Sequence, residues 1–218
     1  MVKIKRTFPA PLSLAVEYKK ENGSYAQDDV IKQLQTDFNG KCYICEMKNL
    51  SDPQIEHLLP HKQGKDKKRK FDWENLFWAC PHCNRVKNQK KYEEGILDCC
   101  KIDPEEFLFF RLNEKYTEVG IKMEDIAAER TAELINEVFN LQNTGMRIYA
   151  SAFRLQELQK EMNVFYDKLE SFKKNRNSVV ARRTLKALLK RESQFAAFKR
   201  CYIQEHAKEY PELLPYIK

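Results

Sequence analysis

The stretch from residue 42 to residue 87 contains the side chains that could bind a metal or take part in catalysis. Two CxxC pairs, Cys42/Cys45 and Cys80/Cys83, enclose 34 residues. Each pair can present two thiolates to one ion, and four sulfurs complete the tetrahedral coordination that Zn²⁺ prefers. We therefore predict a zinc ion with a structural role, because a closed coordination sphere leaves no position for a substrate.

A second set of polar residues lies between the cysteine pairs and directly after them. Glu56 and His57 are adjacent, and Asn84 follows the last cysteine. Neighbouring residues on a strand point to opposite faces, so this pair needs a local distortion, or a metal with a third ligand, to act on one substrate. A hard cation such as Mg²⁺ or Mn²⁺ takes oxygen ligands, which the Glu56 carboxylate and the Asn84 amide would supply.

With that cation in place, His57 would be free to deprotonate a water molecule for attack on a phosphorus atom. The cation would stabilise the charge that develops on the leaving 3′ oxygen. Taken alone, however, a histidine at such a position is more often structural, and an asparagine at a helix start is ordinary. These few residues by themselves leave both interpretations open.

The composition permits contact with nucleic acid but does not establish it. The 218 residues include 39 Lys and Arg against 32 Asp and Glu, a formal charge of +7, which would favour a phosphate backbone. The chain has neither a signal-peptide pattern nor a long apolar stretch, so we expect a cytoplasmic protein that does not contact a membrane. Reduced thiols in that compartment favour metal binding over disulfides, and Cys99, Cys100 and Cys201 lack a ligand-like spacing.

The segment before the first cysteine pair is expected to pack on the domain that holds these residues. Residues 2–6 alternate apolar and basic side chains, which indicates a short strand or an extended arm. A helix is predicted over residues 12–20. A second helix, capped by Asp28 or Asp29, is predicted to end at Asn39-Gly40 and to lead to Cys42.

The central stretch is predicted to fold as two strands followed by a helix. The strands cover residues 55–59 and 73–79, and Cys80-Pro81 starts the helix because proline suits the first helical position. Between the strands, residues 62–70 (KQGKDKKRK) contain no apolar side chain. This loop is either a solvated hairpin tip or a surface that contacts phosphates.

Residues beyond 100 are expected to be mostly helical. A short turn or helix at residues 103–106 and strands at 107–112 and 118–123 are expected before three helices, predicted at 124–140, 145–174 and 178–208. We therefore predict an α+β, mainly helical fold with three parts: an N-terminal arm and helix (1–39), a zinc-containing domain (40–100) and a helical C-terminal region (101–218).

The order of these motifs, CxxC, Glu-His, Asn, CxxCN and a lysine three residues later, resembles the HNH endonuclease family in the zinc-ribbon form of its ββα-metal fold. The resemblance covers about residues 40–90. It implies that Glu56 and Asn84 bind the catalytic Mg²⁺ or Mn²⁺ and that His57 is the general base. It also implies that Asn75 holds the loop through backbone hydrogen bonds and that Lys87 lies near the phosphate.

Further nucleic-acid contacts are expected from His61 and from Lys67, Lys68 and Arg69 of the basic loop. His61 could assist with a phosphate or with the metal, whereas His82, inside the second cysteine pair, is expected to be structural. The implied reaction is hydrolysis of a phosphodiester bond, with DNA as the first candidate substrate. Two alternatives stay open: a nucleic-acid-binding or scaffold subunit without cleavage activity, and a nuclease that cuts RNA or tRNA.

The flanking segments look like those of the PtuB-type HNH nucleases of retron and Septu anti-phage systems. The shared features are a basic N-terminal arm, a helix leading into GKCYICE and a helical C-terminal half that includes SQFAAFKR. This looser resemblance implies an SMC/ABC-like ATPase partner (PtuA-like), which the helical half would dock. It also implies that cleavage is restrained until infection.

Overall fold

A computed structural model describes residues 1–140 and 147–217 and has the predicted α+β, mainly helical architecture. Buried side chains from all parts of the described chain form one continuous hydrophobic cluster. No helix in the described residues is long and apolar enough to cross a membrane. The helices are α1 (Leu12–Lys19), α2 (Asp28–Asp37), α3 (Lys67–Phe71), α4 (Pro81–Lys87), α5 (Pro104–Phe107), α6 (Ile126–Phe139), α7 (Arg147–Lys174), α8 (Val179–Leu188) and α9 (Ala196–Glu205).

The strands form two separate antiparallel pairs, β1 (Gln54–His57) with β2 (Leu76–Ala79) and β3 (Leu108–Leu112) with β4 (Thr117–Ile121). In the first pair Glu56 lies opposite Phe77 and His57 opposite Leu76. Cys80 follows β2 directly and caps α4, its sulfur accepting a hydrogen bond from the Cys83 amide. The predicted order of two strands and a helix is therefore confirmed as a ββα unit.

Helix α2 leads to the first cysteine pair but begins differently from the prediction. Gln27 precedes the helix and provides no side-chain cap, while the Asp29 carboxylate accepts from the Ser13 amide and hydroxyl. The predicted end is correct: Asn39 and Gly40 both have a positive φ, and the Gly40 amide donates to a carbonyl in the last turn. That turn directs the chain into Cys42.

The N-terminal segment is an extended arm and forms no strand within the described residues. Arg6 anchors it, because its guanidinium donates to the carbonyls of Trp73 and Leu76 at 2.8 Å each. The same guanidinium lies 4.8 and 4.9 Å from the ring centroids of Trp73 and Phe77. The arm therefore packs on the start of β2.

The basic segment between β1 and β2 is more ordered than the sequence suggested. Residues 62–64 form one 3₁₀ turn, and α3 follows, with the Asp66 carboxylate accepting from the Arg69 amide as its N-cap. The buried Phe71 ring ends α3. Residues 62–70 were expected to be a loop throughout, and the short helix within them was not predicted; a capping aspartate and one apolar anchor are sufficient for it here.

The C-terminal half packs α6 against β4 and α7, and α9 against β3. Of the predicted helix at 145–174, residues 145 and 146 lie outside the described residues. The single helix predicted at 178–208 is interrupted between α8 and α9, where Phe195 has φ 48°. The Glu46 carboxylate accepts from the Ala196 amide at 2.7 Å, and Lys41 donates to the Arg191 and Ser193 carbonyls. The first cysteine knuckle thus caps a new helix start.

Candidate functional site

The four cysteines of the CxxC pairs come together as one buried cluster. All four sulfurs lie within 4.8 Å of one another, and Cys45 and Cys80 are separated by 3.9 Å. Tetrahedral Zn–S bonds of about 2.3 Å require sulfur separations of roughly 3.8 Å, so the cluster fits a zinc ion. Within residues 1–140 and 147–217, this is the group of His, Cys, Asp or Glu side chains close enough to share a metal ion.

Arg154 of α7 connects this cluster to the helical half. Its Nη2 donates to the Cys80 sulfur at 3.1 Å, and its Nη1 donates to the Ala150 carbonyl. Hydrogen bonds from the neighbouring cysteines, together with the Arg154 charge, lower the pKa of Cys80. A cation beside the sulfurs offsets the negative charge of four thiolates around one Zn²⁺. A zinc ion bound by all four sulfurs would have no open ligand position, and its structural role stays a prediction.

The His57 imidazole is fixed in one orientation beside the ββα unit. Its Nε2 lies 3.1 Å from the Lys70 carbonyl, and the Tyr25 ring packs edge-on at 4.7 Å between centroids. Because a carbonyl only accepts, Nε2 carries the proton and Nδ1 keeps its lone pair. Burial lowers the pKa of His57 to about 4, so the ring is neutral at pH 7. His57 therefore presents an acceptor nitrogen on a rigidly held ring.

Asn75 ties together the two ends of the segment that carries the Lys70 carbonyl. Its Oδ1 accepts from the Leu59 amide at 2.8 Å. Its Nδ2 donates to the Leu59 carbonyl at 2.9 Å and to the Arg69 carbonyl at 3.0 Å. The Arg69 carbonyl immediately precedes the one that holds His57, so Asn75 restrains the partner of the imidazole.

The Glu56 carboxylate is buried and both of its oxygens have partners. Tyr43 donates its hydroxyl to Oε2 at 2.5 Å, and Lys87 donates to Oε1 at 2.6 Å. Burial raises the pKa of the Glu56 carboxyl, while Lys87 and Tyr43 act in the opposite direction. Each carboxylate oxygen can accept more than one bond, so Glu56 can still serve as a ligand, although next to a positive charge.

Asn84 stands in the first turns of α4, near the strand that carries Glu56. Its Nδ2 donates to the Gln54 side-chain oxygen at 2.8 Å, so Oδ1 is the atom suited to a hard cation. Glu56, His57 and Asn84 line the same open cleft, which has a volume of about 490 Å³. Three of the four residues predicted to act in catalysis thus line one cleft, and the fourth, Asn75, is not among the lining residues.

Lys87 lines the cleft with His57, but its ammonium is bound within the protein. It is 7% exposed, and its ammonium donates to Glu56 Oε1 and to the carbonyls of His57 and Leu58 at 3.0 and 2.9 Å. An ammonium has three protons, and all three have acceptors. Contact with a phosphate, as expected from the motif, would require one of these bonds to be given up.

Lys67, Lys68 and Arg69 of α3, in the segment between the strands, are not among the residues that line the cleft with His57. Lys67 donates to the Lys20 carbonyl, Arg69 pairs with Asp66, and Lys68 lines a separate apolar hollow beside α1. Lys62 is the lysine of this segment that lines the cleft with His57. The reason is α3, which turns the later basic side chains away from the cleft.

The two additional histidines have different surroundings. His61 lines the cleft, its ring 4.4 Å from that of His57, and its Nδ1 accepts from the Gly64 amide. Its Nε2 is therefore a donor that could meet an anion. His82 is buried, with Nε2 3.1 Å from the Val138 carbonyl of α6, and burial lowers the pKa of His82 to about 4. The position of His82 agrees with a structural residue that joins α4 to α6.

Two tyrosines of the site were missed in the sequence. Tyr25 covers His57 from the segment between α1 and α2, and no sequence pattern connects it to the motifs. Tyr43 donates to Glu56 from inside the first knuckle. Its position between two cysteine ligands could have indicated a role at the site, because the knuckle fixes the direction of the side chains within it.

Comparison with known proteins supports the same interpretation. Residues 42–90 match the family model described as HNH endonuclease. No curated protein matches the chain. The matched residues contain the whole ββα unit, all four cysteines and the cleft residues from Glu56 to Lys87. This segment is therefore similar to an HNH endonuclease domain, and that similarity, with the cysteine cluster suited to zinc, supports a nuclease as the class of this protein.

Proposed function

We propose that this chain is a metal-dependent endonuclease that hydrolyses phosphodiester bonds of DNA in the cleft beside His57. The observation that carries the proposal is the fixed orientation of His57 within the segment that matches the HNH family. An imidazole held in place through its Nε2, with Nδ1 as its acceptor nitrogen, has the geometry that a general base requires.

In this proposal His57 Nδ1 takes a proton from a water molecule that attacks phosphorus. The imidazolium that forms still donates its Nε2–H to the Lys70 carbonyl, and this bond is stronger when the donor is cationic. Asn75 keeps that carbonyl in place through its bond to the adjacent Arg69 carbonyl. Asn75 therefore acts by positioning this carbonyl and does not react itself.

Glu56 and Asn84 are the residues proposed to hold Mg²⁺ or Mn²⁺, because both line the cleft with His57 and both carry oxygen ligands. When bound, such an ion supplies Lewis-acid stabilisation of charge on the phosphate oxygens and the leaving 3′ oxygen. His61 Nε2 and the exposed Lys62 ammonium are suited to the neighbouring phosphates. Lys67, Lys68 and Arg69 would contact more distant phosphates.

A nicking assay tests the proposal. Zinc-loaded protein is incubated with supercoiled DNA and Mg²⁺ or Mn²⁺, and His57→Ala is expected to slow cleavage about 100-fold or more. His206→Ala is the matched control, because His206 lies at the end of α9 and stacks on Tyr202. Cleavage by His57→Ala at the rate of the unchanged protein would contradict the assignment of the base.

The same assay separates the alternatives. A binding or scaffold subunit would retain DNA without cutting it under any metal. A nuclease for RNA would cut single-stranded RNA or tRNA and leave DNA intact, with the same dependence on His57. Single-stranded DNA in a parallel reaction separates strand preference from sugar preference.

We further propose that the chain acts in anti-phage defence beside an SMC/ABC-like ATPase. The support is the resemblance of the flanking segments to PtuB-type nucleases. Val179 and Val180 of α8, which are 78% and 76% exposed, are candidate docking contacts in the helical half. Purification of the native protein should recover the ATPase, and a Val179→Glu/Val180→Glu variant should lose the ATPase while it still cleaves DNA.

A further inference from the structure

The ammonium of Lys87 occupies a set of oxygen atoms that resembles a cation site. It lies 2.6 Å from Glu56 Oε1, 3.0 Å from the His57 carbonyl and 2.9 Å from the Leu58 carbonyl. Both partners of the ion pair are nearly inaccessible, with Lys87 7% and Glu56 5% exposed. Because water is excluded from this pair, the electrostatic interaction between the carboxylate and the ammonium is stronger than it would be at the surface.

The Glu56–Lys87 pair leaves the metal side of the cleft without net negative charge. Glu56 is the buried carboxylate among the residues that line the cleft, whereas Glu93 is exposed. Tyr43 holds the other carboxylate oxygen, so the carboxylate cannot turn away from Lys87 without losing that bond. A divalent ion that binds Glu56 must therefore do so beside an ammonium of like charge.

We propose that Lys87 acts as a built-in cation on Glu56, so that a divalent metal binds tightly only together with the phosphates of nucleic acid. This inference rests on the proposed function. A phosphate brings the negative charge and the oxygen ligands that the neutral Glu56–Lys87 pair does not provide. By linkage, the metal then tightens nucleic-acid binding by the same factor. Lys87 is a positioning residue, because it acts on the metal through Glu56.

The test measures Mn²⁺ affinity from the electron paramagnetic resonance signal of free Mn²⁺. Zinc-loaded His57→Ala protein is used in every arm so that a short DNA duplex stays uncut. The duplex is expected to tighten Mn²⁺ binding at least tenfold. Adding Lys87→Met should tighten Mn²⁺ binding of the DNA-free protein at least tenfold, about 1.4 kcal/mol, and should reduce the effect of the duplex.

Lys62→Met is the matched control, because Lys62 lines the same cleft but is exposed, whereas the Glu56 carboxylate is bonded to Tyr43 and Lys87. Equal tightening by Lys62→Met and Lys87→Met would overturn the proposal, since only overall charge would matter. If circular dichroism and zinc content show that Lys87→Met does not fold, the test is the Mn²⁺ affinity of the His57→Ala protein with and without the duplex. An Mn²⁺ affinity that the duplex leaves unchanged overturns the proposal. Cleavage that does not depend on His57 would instead reject the proposed function. Failure of the proposal about Lys87 is seen in Mn²⁺ binding and failure of the proposed function in cleavage, so the two can be distinguished.

Discussion

Substitution of Asn75 by alanine tests how the site is held together. The side chain is 6% exposed and makes three hydrogen bonds to backbone atoms of Leu59 and Arg69. Each such bond contributes about 1 kcal/mol, and truncation leaves the backbone groups without partners. We therefore expect the free energy of unfolding to fall by about 3 kcal/mol. The Lys70 carbonyl loses its restraint, so the cleavage rate should fall about 10- to 100-fold in addition.

Denaturant unfolding measures the first effect, and single-turnover cleavage at a temperature where the variant is folded measures the second. Asn163→Ala is the control, since Asn163 is exposed on α7, and its unfolding free energy should change by less than about 0.5 kcal/mol. A variant that is destabilised but cleaves at the unchanged rate would show that Asn75 does not orient His57. A variant with unchanged stability would refute the hydrogen-bond argument itself.

Three further substitutions test the frame of the site. Cys83→Ser should release zinc and unfold the chain, because structural zinc contributes folding free energy directly. Metal analysis and circular dichroism measure the two effects. Cys100→Ser is the control and should keep its zinc. Arg154→Met removes the donor to Cys80 and should weaken zinc retention against a chelator about 10- to 100-fold. Arg6→Met breaks two charged hydrogen bonds to buried carbonyls and should cost about 3 kcal/mol in denaturant unfolding.

The parts of the fold that sequence reasoning predicted correctly are those with local causes. The spacing of the cysteines, a proline at the first position of α4 and the Asn39-Gly40 helix end each act within a few residues. β2 and α4 follow directly from them, because Cys80 ends the strand and caps the helix in which Pro81 takes the first position. Asn75 also makes the backbone hydrogen bonds that the resemblance implied.

The parts that were predicted wrongly depend on contacts between distant residues. The break before Ala196 exists because Glu46, 150 residues earlier, caps the new helix. Ile126 and Val180 belong to the apolar sets of the helices predicted at 124–140 and 178–208, yet they are 66% and 76% exposed. Periodicity identifies an apolar face but not whether a partner element covers it. The burial of Lys87 against Glu56 is likewise invisible until the two strands and α4 are assembled.

The most direct test of the central claim is the single-turnover cleavage rate of the unchanged protein and of His57→Ala, both zinc-loaded and both in Mg²⁺ or Mn²⁺. We expect the unchanged protein to cut DNA and leave 3′-hydroxyl and 5′-phosphate ends. We expect His57→Ala, with the same zinc content and the same circular dichroism spectrum, to be slower by a factor of about 100 or more. Equal rates for the two proteins, or no metal-dependent cleavage of any nucleic acid by the unchanged protein, would contradict the claim that His57 is the base of a nuclease.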